Sequence, residues 1–195
     1  MDSTEHQSFE PEPQDNGLPS YWRSVGIAAV IFSLVTFAMQ IITGYIQINS
    51  EPSGSLFSPA MFLNIILCLV GAFGGLVAVW HFVREYNVSL KLGKGALIGF
   101  LTGTAIVLIG VVLNEVWNLI DPDYSQQLID SMIANYEQLD LPDDTRQQMI
   151  DQVAQQANPT IGSQLLWGIP SFGILNLLTG MIGAKVFGKE EQQEF

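Results

Sequence analysis

Four long segments of the sequence contain no Asp, Glu, Lys or Arg. They cover residues 24–50, 52–83, 95–114 and 161–184. Each is at least as long as the roughly 20 residues that a helix needs to cross the ~30 Å hydrocarbon layer of a membrane. A soluble domain of 195 residues has no room for four helices that are apolar on every side. We therefore predict an all-α integral membrane protein. Its four transmembrane helices are predicted at about residues 25–47, 59–83, 95–117 and 161–185.

The charged residues are few and lie mostly outside these segments. They make up 13% of the chain, against about 25% in an average soluble protein. The first 20 residues hold five acids and no Lys or Arg, which predicts a disordered cytoplasmic tail over 1–20. A membrane domain is predicted over 21–190, with a short tail over 191–195. The net charge of −12 offers no basic surface for nucleic acid. The four apolar segments make the lipid bilayer the expected partner.

The basic residues predict the orientation of the chain. Arg146 lies in the link between spans three and four. The other six all fall on one side of a chain that crosses four times: Arg23, Arg84, Lys91, Lys94, Lys185 and Lys189. Because basic residues stay in the cytoplasm, both termini are predicted to be cytoplasmic and residues 118–160 to be outside.

The four tryptophans support the same topology. Trp22 and Trp80 fall at the predicted inner boundary, and Trp117 and Trp167 fall at the outer boundary. Tryptophan favours the headgroup level of a bilayer because its ring is amphipathic. We expect all four rings to lie at membrane boundaries.

The link between spans three and four predicts an amphipathic helical pair over residues 121–158. Asp121 is a candidate cap for the first helix, with Pro122 at its first position. Apolar residues recur at helical spacing in both helices, forming a candidate interaction stripe that includes Leu128, Met132, Ile133, Tyr136, Met149, Ile150 and Val153. The stripe could pack within the pair, lie on the outer leaflet, or bind a protein partner.

Small residues recur every four positions in three of the spans. The predicted helix-packing residues are Gly71, Gly75, Gly95, Gly99, Gly103, Gly180 and Ala184. Such rows allow the backbones of membrane helices to approach closely. They predict a tight bundle, either within one chain or by self-association.

The sequence offers no group of residues for catalysis or metal binding. It has two distant histidines, one cysteine inside a span, and no protease, hydrolase or nucleotide-binding motif. The acids that begin at Asp121 fail the calcium-loop pattern, since the required glycine and final glutamate are missing. Glu115 lies near the outer end of span three, where a carboxylate can reach water. We predict no enzyme activity, no catalytic residue, no metal site and no cofactor.

Polar residues inside the spans suggest an alternative function. Gln40, Asn64 and Asn176 could line a path, and Pro170 could interrupt the last span. Interhelical hydrogen bonding also explains these side chains, and none of the spans has a central charge.

The order of these features resembles a bacterial membrane-protein family. A Gly-rich span is followed by "WNLIDPDYSQQLIDSMIANYEQ", a second acidic helix, "NP" and a last span that ends in "AKVFGKEE". This order is similar to the family called domain of unknown function 4199, over about residues 21–190. The resemblance implies four spans with a helical insertion before the last, and a location in the inner membrane of a Gram-negative cell. With the orientation predicted from the basic residues, the insertion would lie in the periplasm. It implies no activity and no functional residue.

Taken together, these patterns predict a non-enzymatic structural or interaction protein that uses its outward helical pair. The alternative is a small transporter or channel component.

Overall fold

The computed structural model describes residues 20–55, 59–155 and 160–188. This part of the chain contains helices and no strand. The helices are α1 (Trp22–Ile48), α2 (Pro59–Tyr86), α3 (Leu92–Ile120), α4 (Tyr124–Glu137), α5 (Asp143–Gln155) and α6 (Ile161–Phe187). Four of them, α1, α2, α3 and α6, are long and apolar enough to cross a membrane. The predicted fold class is confirmed. The predicted terminal tails lie almost wholly outside the described residues.

The four long helices form an antiparallel bundle. Arg23, near the start of α1, pairs with Glu85, near the end of α2. Gly95, in the first turn of α3, meets Gly180, in the last third of α6. Helices α2 and α3 lie against each other, and each also packs against α1 and α6. We call the end of the bundle that carries α4 and α5 the insertion end, and the opposite end the tail end.

The outer surface of the bundle is apolar. Large side chains point away from it along every span: Leu34 on α1 is 51% exposed, Leu108 on α3 is 47% exposed and Leu178 on α6 is 50% exposed. So much exposed apolar surface suits a lipid environment and would cause a water-soluble protein to aggregate. The chain is therefore a multi-pass membrane protein.

The bundle core is narrow at the tail end. Phe82 and Val79 of α2, Ile98 of α3 and Ala28 of α1 are almost completely buried there. The small side chains of Ala28 on α1 and Ala184 on α6 allow these helices to pack closely around the larger side chains of Phe82 and Ile98.

The helices extend beyond the predicted spans at most of their ends. Helix α3 begins at Leu92 and continues past Glu115 to Ile120. Helix α6 is continuous through Pro170, which the sequence had suggested as an interruption. The length of an apolar segment predicts only the part of a helix that lipid surrounds. The helix itself is longer, because its backbone hydrogen bonds continue until a turn ends it.

Candidate functional site

The predicted glycine rows of α3 and α6 face each other at the most extensive helix interface. A methyl group at Gly99 would come within 3.0 Å of the Asn176 carbonyl oxygen, and one at Gly103 would come as close to the Phe172 carbonyl oxygen. At the tail end, Gly95 meets Gly180 and Ala184 in the same way. The two backbones are in direct contact, which van der Waals packing in a membrane favours.

The two predicted glycines of α2 lie against α6. A methyl group at Gly75 would come within 3.0 Å of the Asn176 carbonyl oxygen, and one at Gly71 would lie 2.6 Å from the Phe172 ring. All seven predicted packing residues therefore lie at interfaces that involve α6.

Asn176 is the central polar residue of the bundle and is fully buried. Its amide nitrogen donates to the carbonyl oxygens of Gly71 (3.2 Å) and Phe172 (2.9 Å). Its amide oxygen accepts from the Gly75 N–H at 2.6 Å. The next polar residue, Thr179, donates to the Ala72 carbonyl at 2.5 Å. Helices α2 and α6 are thus joined by hydrogen bonds in a region that has no water to replace them.

The insertion is held against α1 by an aromatic cluster. The Tyr124 ring lies against Gly44, which is buried and leaves no space for a methyl group. The rings of Tyr45 and Trp117 surround Tyr124 at centroid distances of 5.2 Å and 6.4 Å. The Trp117 ring also has an edge-on contact with Phe37. Trp117 is thus partly buried by this cluster, whereas Trp22, Trp80 and Trp167 are exposed.

Asp121 does not cap α4. Its carboxylate accepts a hydrogen bond from the Tyr45 hydroxyl at 2.5 Å, and α4 begins at Tyr124 after an Asp123 that makes no side-chain cap. The chain turns over residues 121–123, with Pro122 in the turn and not in the helix. The Asp121 carboxylate, which the sequence predicted as a cap for α4, is thus hydrogen-bonded to Tyr45 on α1 instead.

Two causes make the Tyr124 hydroxyl harder to ionise. Burial raises its pKa above the ordinary value of 10.0, and the negative charge of Asp121 raises it further. The hydroxyl lies 3.4 Å from the carbonyl oxygen of Gln40. The neutral form of Tyr124 is therefore the form that fits the cluster.

The link between α1 and α2 is also attached to the insertion. The Ser53 N–H donates to the Asn135 side-chain oxygen at 3.0 Å. Gly54 has a φ of +59°, and a methyl group there would lie 2.7 Å from the Gln138 carbonyl oxygen. Only glycine combines this backbone conformation with such a close approach. We call residues 49–55 the docked link.

The candidate interaction stripe is largely covered. Val153 is buried, and the other six stripe residues are partly buried between α4, α5 and the bundle. Helices α4 and α5 pack on each other, and α4 also packs on α1. Packing of α4 on α5 covers part of the stripe, and contact with the outer leaflet or with a protein partner stays a prediction.

A cavity of about 720 Å³ lies between the helical pair, the docked link and the bundle. Three stripe residues, Met132, Tyr136 and Met149, line one side. The opposite side comes from the first half of α2, where the only cysteine of the chain, Cys68, is exposed in the wall. The volume falls in the range of pockets that bind small molecules, about 300–1,000 Å³.

A second, shallower groove lies outside the bundle, between α3 and α6. It holds Glu115 among apolar residues, including Val112, Leu119 and Leu165. Glu115 is exposed, and in the described part of the chain no base pairs with it. It lies in the last two turns of α3, about 8 Å of helix rise from the end.

A chain of polar residues joins α1 and α2 at the tail end. The Ser24 hydroxyl and the His81 Nδ1 are 2.9 Å apart, Glu85 lies 3.4 Å from the same nitrogen, and Glu85 also pairs with Arg23. A catalytic triad needs the serine and the acid on different ring nitrogens, with the serine accessible. Here Ser24 and Glu85 both contact the Nδ1 atom of His81, and Ser24 is fully buried. The arrangement joins two helices and does not form a nucleophile.

Sequence reasoning missed the cavity, the docked link and the aromatic cluster. Gly44, Gly54 and Tyr124 carry these features, and each owes its role to a residue far away in the sequence. In the described ranges, no group of three or more His, Cys, Asp or Glu residues is arranged to hold a metal ion.

A family model matches residues 25–188, and its description is "Protein of unknown function (DUF4199)". The chain belongs to the DUF4199 family. The match confirms the resemblance that the sequence indicated, and it includes all four spans and the helical insertion. No curated protein and no solved structure matches the chain. The DUF4199 description names no activity.

Proposed function

We propose that this DUF4199 protein is a non-enzymatic membrane protein in which the α4–α5 pair is an interaction element. The pair acts by forming one wall of a binding cavity for an apolar molecule of the membrane. The observation that carries the proposal is the cavity of about 720 Å³, which has stripe residues of α4 and α5 on one side and membrane-spanning helices on the other.

The proposal includes a cell inner-membrane location. Both termini are cytoplasmic and residues 118–160 are periplasmic. Five of the six basic residues in the described part of the chain support this orientation, because they lie at the tail end and only Arg146 lies at the insertion end.

The covered stripe limits how a protein partner could bind. Its apolar residues are buried or partly buried, so a partner or a second copy of the chain would mainly contact the polar outer faces of α4 and α5. Those faces are acidic, and the first turn of α5 begins with Asp143 and Asp144. The cavity is an apolar-lined space that remains accessible at this end, which favours a small apolar occupant.

The alternative, a small transporter or channel component, has weaker support. Of the three polar residues that suggested it, only Asn64 lines the cavity. Both polar atoms of the Asn176 amide are bonded to backbone groups. Gln40 is exposed on α1. The three side chains do not border a common path.

A cavity-filling variant tests the proposal. The protein is extracted with its surrounding lipids, and molecules that remain bound are measured by native mass spectrometry. Asn64→Trp introduces a large ring into the cavity wall, so bound apolar molecules should decrease several-fold relative to wild type. Ile66→Trp is the matched control, because Ile66 is 47% exposed on the same helix and does not line the cavity.

The outcomes separate the alternatives clearly. Retention in wild type and Ile66→Trp with loss in Asn64→Trp supports a binding cavity. Equal occupancy in all three proteins, or an empty wild-type protein, contradicts it.

A further inference from the structure

The lining of the cavity is divided between polar and apolar residues. The polar part comes mainly from the docked link and its neighbours and includes Gln47, Glu51, Ser53 and Asn135. The apolar part continues along α2 from Ile65 to Ala72, which is about 10 Å of helix. A ligand that satisfies both parts has a polar head and an apolar chain.

The apolar part of the cavity opens toward the lipid. Ile65 and Leu69 are 49% and 57% exposed, and both belong to the cavity wall and to the outer surface of α2. A chain-bearing molecule could therefore enter sideways from the bilayer, without leaving an apolar environment.

The charges at the cavity have one sign. Glu51 is the only Asp, Glu, Lys or Arg residue of the lining. It forms no hydrogen bond or ion pair within the described residues, so its carboxylate is free to bind a cation. The single base at the insertion end in these residues, Arg146, is paired with Asp143.

We propose that the cavity binds a cationic amphiphile, an alkyl chain with an amine head group, whose head lies at Glu51 and whose chain lies along α2. This inference rests on the proposed function and adds the class of ligand. An anionic head group would meet Glu51 and would find no basic side chain in the lining. A neutral head group could use the amides and hydroxyls but would gain nothing from the Glu51 carboxylate, which would stay in contact with water.

Cys68 provides the measurement, because it is the only thiol in the chain and lies in the cavity wall. The full-length protein is placed in nanodiscs of phosphatidylcholine, and the rate of Cys68 alkylation by an apolar maleimide is measured. The probes are dodecylamine, dodecanol and dodecyl sulfate, compared at equal concentration in the membrane. Dodecylamine should slow alkylation the most, and dodecyl sulfate the least.

The Glu51→Gln variant tests the charge. An ion pair at an exposed carboxylate changes binding by roughly two- to fivefold, so the advantage of dodecylamine over dodecanol should fall by that factor. Glu137→Gln is the matched control, since Glu137 is an exposed acid of α4 outside the lining. It should leave the advantage unchanged.

The results distinguish the inference from the proposed function. If dodecanol and dodecyl sulfate protect Cys68 as well as dodecylamine does, or if Glu51→Gln has no effect, the cationic class is wrong while the binding cavity stands. If no probe slows alkylation in wild type, the inference is again overturned. If the probes protect wild type and Asn64→Trp equally, protection occurs outside the cavity and the proposed function fails as well.

Discussion

At the scale of single residues, glycine determines how close the spans can be. Gly99 and Gly103 touch backbone atoms of α6, and no larger residue fits without separating the helices. Gly110 lies on the same helix, and a methyl group there would meet nothing within 4 Å. The same residue type therefore has two different environments on α3.

We expect Gly99→Leu or Gly103→Leu to lower the free energy of unfolding by at least about 2 kcal/mol, because overpacking forces neighbouring atoms apart. Gly110→Leu should leave it nearly unchanged. Thermal unfolding of the purified variants in detergent measures the difference. Wild-type stability of both interface variants would mean that α3 and α6 do not pack through this row.

Substitution of Gly54 should destabilise the docked link locally. Its positive φ and its contact with Gln138 make Gly54→Ala unfavourable by about 1–2 kcal/mol from the backbone conformation alone. The docked link should detach from α4, and the Ser53 amide should exchange its hydrogen faster with deuterated water. Gly93→Ala is the control, since Gly93 is helical and its added methyl group has free space. Unchanged exchange at Ser53 in Gly54→Ala would contradict this account of the link.

At the scale of elements, the helical pair depends on Tyr124 for its attachment to α1. The folded pKa of Tyr124 is raised above its unfolded value, so the neutral hydroxyl favours the folded protein. The stabilisation is complete below pH 10 and is lost as the pH rises from 10 through the raised pKa.

The comparison of wild type with Tyr124→Phe tests this dependence. Both proteins contain the remaining tyrosines, so their difference isolates Tyr124. We expect the unfolding temperature of wild type to fall faster than that of Tyr124→Phe above pH 10, and the difference between them to be constant below about pH 9. A difference that stays constant through the alkaline range would show that Tyr124 ionises equally in both states.

The elements could be predicted from the sequence because their signals are local. Absence of charge over 20 or more residues identified the spans, and apolar spacing identified α4 and α5. The cavity could not be predicted, since it depends on how the docked link folds back on Asn135 and Gln138. These residues are more than 80 positions away from the link. Asp121 shows the same limit of local sequence. Its carboxylate was predicted to cap α4, but it binds the hydroxyl of Tyr45, which is distant in the sequence.

At the scale of the whole molecule, the orientation in the membrane is the main testable property. In a Cys68→Ala background, a cysteine at Gln138 should react with an impermeant thiol reagent in intact spheroplasts. A cysteine at Ser89, in the link between α2 and α3, should not react until the cells are opened. Both positions are exposed to solvent in the folded protein. Reaction at Ser89 with protection at Gln138 would invert the topology.

The bonds between Asn176 and α2 have a consequence for movement along the helix axes. A surface of glycines is smooth, so it resists sliding of one helix past another only weakly. The Asn176 amide fits one C=O and one N–H that are four residues apart, at Gly71 and Gly75. A slide by a single residue, about 1.5 Å, would leave a donor and an acceptor unmatched in lipid. The Asn176 side chain thus fixes the position of α6 along the axis of α2. It thereby also sets the distance that the insertion covers between the end of α3 and the start of α6.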